Sequence, residues 1–353
     1  MTEQITTPDE FIHKATALME DRFIHTDREQ PVIATLFELG VKHVAEDIMA
    51  NPELYKPHAE LPMPTKRFEK VDPISLMRTE VKLPSLPQVF IEMRRVINDP
   101  ASSASDLAKV ISRDTALSAF LLRMVNSAFY NFPAQIDTIS RAVAVVGTNQ
   151  LSTLAMGTSI MDMFKGLPAD IIDLELFWRH SFACGIIASQ LSKTFKQGTP
   201  EKCFVAGLLH DIGRPVLLIA LPEQTIAATA ISRHKKALMF KAEQAVTGFN
   251  HSELGGMLLR KWNLPFSLVN AVLNHHNPAK ASKSPEALYV YFANIIAKTM
   301  GVGGSGDFFI RNVNNERWEK HGLTPDKLRK LDTEITPLLH DAFAILKNTA
   351  AQR

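Results

Sequence analysis

Apolar residues return every three to four positions along most of this chain, and no alternating run is long enough to predict a strand. The helical spacing is most regular from Leu83 onward. LPSLPQVFIEMRRVINDP carries it as far as Pro100, where a missing N–H and a ring clash end the helix. Ser103 with Asp106 predicts a capped start for SDLAKVI, and Asp114 predicts one for TALSAFLLRMVNSAF. In the second of these helices Leu117, Leu121, Met124 and Val125 fall on one apolar stripe that needs a core to face. Gly147 predicts the end of RAVAVVG, and Thr148 opens the next helix.

Beyond residue 170 the same spacing runs through LELFWRHSFACGIIASQL, EKCFVAGLLHDIGR, HSELGGMLLRKW, PFSLVNAVLNHH and SPEALYVYFANIIAKTM. Ser284, Pro285 and Glu286 predict a well-made start for the last of these. GVGGSG (301–306) follows and reads as a flexible connection, since it lacks the preceding strand and the Lys-Ser/Thr of a phosphate loop. A tail then restarts at Thr324-Pro325-Asp326. Upstream, 7–21 and 31–49 read as helices, and the proline-studded PHAELPMPTKRFEKVDP (57–73) as a linker or surface strap. The prediction is an all-α protein: a two-lobed helical bundle with an extra helical N-terminal segment. The expected divisions are an N-terminal helical extension over 1–80, helical lobes over 81–165 and 166–301, and a C-terminal helical tail over 302–353 that packs on the second lobe.

Composition changes this picture little. Thirty-nine Lys+Arg against 37 Asp+Glu give a net charge of +2, which supplies no field to attract nucleic acid or an anionic membrane. The basic clusters 233–236 and 327–330 read as solvated helix faces. Cys184 and Cys203 lie in apolar stretches and predict buried free thiols in a reducing compartment. The polar, acidic start MTEQITTPDE is no secretory signal, and PVLLIALP (215–222) is far short of the ~20 residues that span a bilayer. The expectation is a cytoplasmic protein with no membrane partner.

The chemistry concentrates in the second lobe. His180 shares a helical stripe with Phe177, Cys184 and Ile187, and His251 one with Leu254 and Leu258. His275 lies over Leu268, Ala271 and Val272, while His276 points about 100° away, over Val269, Val272 and Leu273. His210-Asp211 is flanked by Ala206, Gly207 and Gly213, small residues that allow close helix approach and a sharp exit. A single histidine on such a face is usually a hydrogen-bonded core residue; five with an aspartate predict a shared pocket, because burying them separately is expensive. Imidazoles with a carboxylate suit a divalent transition metal: Fe, Mn, Zn, Ni or Co. Trp178, beside His180, reads as core.

These residues, GLLHDIGR above all, resemble the histidine–aspartate (HD) superfamily of metal-dependent phosphohydrolases. LPSLPQV, ISRDTALSAFLLRMVNSAFY, ISRAVAVVG and HSELGGMLLRKWNLP resemble more specifically its HDOD (HD-related output domain) branch, from about Leu83 to Gly301. The resemblance makes 81–301 an HDOD domain and implies that His180, His210 and Asp211 hold a first metal, with His251 and His275 or His276 serving a second. A metal there would polarise a phosphoryl oxygen and activate a bound water, and Asp211 would be the catalytic residue. Two departures stand against catalysis. Asn294 occupies the place of the family's late acidic ligand, for which a water or another acid such as Glu253 would have to substitute. Arg214 stands where the catalytic families carry Lys. HHNPAK also lacks the Gly-Tyr-Pro motif of the cyclic-di-GMP phosphodiesterase branch. The resemblance implies a signal-transduction output or regulatory module that binds a signalling protein partner or a small nucleotide-like ligand, and allows an oligomer. The alternative is a metal-dependent phosphohydrolase acting on a nucleotide or phosphate ester.

Overall fold

Many helix starts fall where a proline removes one free backbone N–H or an oxygen-bearing side chain accepts from another. In a computed structural model, described over residues 8–55, 61–78, 86–164, 166–168, 171–281, 284–304 and 306–351, prolines open α1 (Pro8–Arg22), α2 (Pro31–Ala50) and α3 (Pro73–Arg78). α4 (Gln88–Asn98) follows Pro87, while Leu83, Pro84 and Ser85 of the LPSLPQV motif lie outside the described residues. A full capping box of Ser103 and Asp106 opens α5 (Ala104–Ser112). The Asp114 carboxylate accepts from Leu117 N–H to open α6 (Thr115–Val125), whose predicted stripe is buried throughout. α7 (Ile139–Val146) ends at Gly147 with φ of 97°, and α8 (Thr148–Ser159) leaves from the same glycine. Among the described residues there is no strand.

The second half is assembled around α9 (Leu174–Phe195), which packs most extensively on α10 (Pro200–Leu209) and α16 (Pro285–Thr299). The reason α10 comes so close is Gly207: a Cβ there would sit 2.6 Å from the Cys184 carbonyl and the Gly185 nitrogen of α9. Between α10 and α16 come α11 (Gly213–Ala220), α12 (Pro222–Lys235), α13 (Met239–Thr247), α14 (His251–Lys261) and α15 (Phe266–Asn274). α17 (Asn315–Lys320) and α18 (Pro325–Ala351) close the chain, and α18 lies against α9, α2 and α6. One buried apolar cluster runs from Ala15 of α1 through both lobes to Ile345 of α18. Pro200–Ala220 is long and apolar enough by composition to cross a membrane, yet 89% of its most apolar window is buried inside the protein, as expected of a core element.

Two connections differ from their sequence reading or complete it. Residues 61–72 form a strap rather than a free linker: Val71 N–H donates to the Thr247 carbonyl at 2.8 Å and His234 Nε2 meets the Leu61 carbonyl at 2.7 Å. Phe68 of the strap covers a small apolar cluster of Ala227, Ala228, Ala242 and Val246. GVGGSG is no flexible connection in its described residues. A Cβ on Gly303 would meet the Leu176 carbonyl at 2.2 Å and the His180 nitrogen at 2.8 Å, so the glycines bring this loop hard against α9.

Candidate metal centre

Each donor arrives by a distinct structural device. His180 points inward from the middle of α9, 2% exposed, with Nε2 3.5 Å from Cys184 Sγ one turn along. α10 stops at the doublet: His210 is its C-cap, and His210, Asp211 and Ile212 make the turn into α11. Gly213 then lets the chain pass α14, since a Cβ there would fall 2.0 Å from the His251 carbonyl. His251 is the first residue of α14, behind the N-cap Asn250, and His275 is the C-cap of α15.

Three of these imidazoles converge on one oxygen. Asp211 Oδ1 lies 3.1 Å from His251 Nε2, 3.3 Å from His210 Nε2 and 3.6 Å from His275 Nε2. His210 Nδ1–H donates to the Gly207 carbonyl and His275 Nδ1–H to the Val272 carbonyl, both at 2.7 Å. Those bonds fix the tautomers and leave each Nε2 as a bare lone pair with no hydrogen-bond partner, as Asp211 Oδ1 also is. His251 Nδ1 is held instead by Glu243 Oε2 at 2.6 Å, and the same oxygen accepts from the His251 backbone N–H at 2.9 Å. His276, half-buried and stacked on Phe240, brings Nε2 to 2.8 Å from His251 Nε2.

The donor chemistry fits a divalent ion. Two ligand atoms each ~2.1 Å from one ion lie about 3.0–3.4 Å from each other at octahedral or tetrahedral angles. The spacings to His251 and His210 match that range and His275 lies just beyond it at 3.6 Å, and unpartnered buried lone pairs are what an ion would satisfy. His210, Asp211 and His275 form one group able to hold a metal; His251, His275 and His276 form another, and His180, Cys184 and His210 a third.

Electrostatics reinforce the convergence. Burial drives His180 down to about 3, helped by the neighbouring His210. Burial likewise lowers His210, and lowers His275 and His276 well below the usual imidazole range. His251 goes the other way: burial opposes its charge, but Glu243 and Asp211 outweigh that and raise it to about 9. Asp211, which burial alone would neutralise, is held well below the usual carboxylate range by His210, His251 and His275.

His210, His251 and His275 thus gather around Asp211, His276 joins through His251, and His180 lies beside His210 with Cys184. Asn294 is there too, 5% exposed on α16 with Oδ1 unpartnered, lining a cavity with His275, His276, Lys298 and Asp307. Glu253 is half-buried in the first turn of α14; Glu243 bonds His251, and Asp307 lines the cavity beside His275 and His276. Sequence reading missed both. Glu243 shares its helical face with Met239, Val246 and Thr247, so the same periodicity that singled out the histidines marks it as a buried acid. Asp307 follows a glycine loop, where no period exists to place it. Arg214 is buried with Nε 3.9 Å from Glu243 Oε1, behind His251 rather than at the donors.

A family model of the HDOD domain matches residues 83–278. A protein of Treponema pallidum (strain Nichols), itself named only "Uncharacterized protein", is 31% identical over 216 residues, 60% of this chain and 42% of that protein; the match spans less than half the relative's length. Among solved structures, a "Putative phosphohydrolase" from Shewanella amazonensis SB2B superposes with TM-score 0.60 at 22% identity, over 77% of this chain and 98% of that one. A "Putative signal transduction protein" from Marinobacter aquaeolei VT8 gives TM-score 0.60 at 18% identity, over 95% and 68%. An HDOD domain protein of unknown function from Geobacter sulfurreducens gives 0.59 at 21%, over 78% and 97%. At these identities the structural likenesses carry the fold alone.

Proposed function

The chain belongs to the HDOD family, and from that premise we propose that it is a signal-transduction output or regulatory module that acts by binding. Its partner is a signalling protein or a small nucleotide-like ligand, and its HD site is a metal-binding remnant rather than a working hydrolase. The observation that carries this reading is closure. His210, Asp211, His251 and His275 are at most 1% exposed, and the cavity beside them is about 20 Å³, room for about one water. The donors thus present almost no surface to a phosphate ester. Asn294 in place of an acid supports the same reading, since an amide adds no charge to hold a catalytic ion. Free, buried Cys184 and Cys203 favour a reducing, cytoplasmic setting.

The alternative, a metal-dependent phosphohydrolase acting on a nucleotide or phosphate ester, is favoured by the intact set of imidazoles and Asp211 with their orienting partners. When bound, the metal would supply Lewis-acid activation of phosphate and water, with His210, Asp211 and His275 holding it. Metal analysis and assays on a generic phosphodiester and on nucleotides, with Asp211→Ala as control, separate the two. The expected result is no metal-dependent turnover above that control. Turnover that needs metal and disappears in Asp211→Ala would sink the regulatory reading.

A further inference from the structure

The face of α16 that looks into the cavity carries two residues one turn apart, Asn294 and Lys298. Lys298 is only 9% exposed, and its ammonium is paired with Asp307 Oδ2 from the loop that follows the helix. Asp307 is buried as well, and its other oxygen, Oδ1, is unpartnered. A lysine this deep needs a reason, because a buried ammonium is tolerated only when paired.

We propose that Lys298 is the resident cation of this pocket: its ammonium occupies the Asp307 carboxylate and repels a divalent ion from the neighbouring histidines, and Asp307 is the acidic ligand that the pocket regains when the ammonium is withdrawn. Three observations support this. The pocket keeps an acid although α16 supplies only an amide, and that acid is already neutralised. Lys298 lies near enough to the donors for its charge to be felt at His180, His210 and His276, behind the larger effect of burial at each. Finally, Arg22 of α1 ties together the main chains of the helix and the loop that carry the pair. Its guanidinium donates to the Lys298 carbonyl, while its own carbonyl accepts from Ile310 N–H at 2.8 Å, so one residue of the N-terminal helices grips both arms. The inference rests on the reading of this cluster as a metal site, but not on whether that site is catalytic.

The test is Mn²⁺ titration by calorimetry, with bound-ion stoichiometry read by electron paramagnetic resonance. Mn²⁺ is the probe because it favours carboxylate and imidazole over the Cys184 thiol. Lys298→Met is expected to bind Mn²⁺ about tenfold or more tighter than the wild-type chain, a change of the size that neighbouring groups impose on metal affinity. Lys298→Arg keeps the charge and should stay as weak as wild type. Lys298→Gln can still donate to Asp307, so it answers the same question should Lys298→Met fail to fold. Adding Asp307→Asn to either neutral variant should abolish the gain. Neutral variants that bind no tighter than wild type, or a gain that survives Asp307→Asn, would overturn the proposal. Metal-dependent hydrolysis by the wild-type chain would instead overturn the regulatory reading and leave this one to the titrations.

Discussion

Around Asp211 the metal-free protein holds its imidazoles in opposite protonation states, and that split has a measurable consequence. His180 is lowered to about 3, and His210, His275 and His276 are lowered too, so they stay neutral in the fold at pH values where the unfolded chain, with ordinary values near ~6.5, takes up protons. Their contribution is therefore present above about pH 6.5 and is lost as pH falls below it, each extra proton on the unfolded chain adding about 1.4 kcal/mol of destabilisation per pH unit. His251, raised to about 9, has the opposite sign: its contribution is full below about pH 6.5 and fades as pH rises through about 9. Urea unfolding of the metal-free chain should thus show falling stability from pH 6.5 to 5, and a weaker decline from pH 7 to 9. A stability flat across pH 5 to 6.5 would contradict neutral buried histidines. The five histidines and Asp211 were legible in the sequence because buried polar groups on an apolar stripe break a period. The convergence of His210, His251 and His275 on one oxygen was not, because it depends on turns at His210 and His275 that end helices where the period alone would run on.

At the scale of elements, the helices were legible and the contacts between them less so. Capping residues announce helix starts locally, and Ser103, Asp106, Asp114 and Gly147 act where expected. Ser284 precedes α16 as predicted, but its hydroxyl bonds Glu286 rather than a backbone N–H. Glycines are harder, since the same residue can give freedom or closeness. Gly303 was read as freedom and serves closeness. Gly207, placed among small residues before the doublet, permits the α9–α10 crossing that sets His180 beside His210, their rings 5.3 Å apart. Gly207→Ala should consequently cost more than its gain in helix propensity, about 1–3 kcal/mol by overpacking, in denaturant unfolding. Stabilisation by this change would mean the crossing is looser than the structure has it. Ser103→Ala is a contrasting case, an exposed cap worth about 1 kcal/mol with no effect expected on the metal centre.

For the whole molecule, the question is whether the N-terminal helices are a separate unit. The continuous core from Ala15 to Ile345 argues that they are not, and one buried contact allows the point to be tested. His43 of α2 pairs through Nε2 with Asp332 of α18, and both are at most 9% exposed. Removing the imidazole with His43→Ala leaves a buried carboxylate without that hydrogen-bond partner, with Lys42 at 3.8 Å and largely in solvent. Breaking one half of a buried pair is far worse than replacing both halves with apolar groups. His43→Ala should therefore lose about 3 kcal/mol, while His43→Leu with Asp332→Leu should lose much less. Because α2 also packs on α16, which carries Asn294 and Lys298, the loss should appear as one transition shared by the whole chain. Hydrogen exchange then provides the decisive comparison. If His43→Ala speeds exchange in α1 and α2 but leaves α9 and α10 protected to the wild-type level, the extension unfolds on its own and the single core is the wrong description. If protection falls together in all four helices, a change in the N-terminal extension can reach the histidine cluster by shifting the stability of the structure that encloses it.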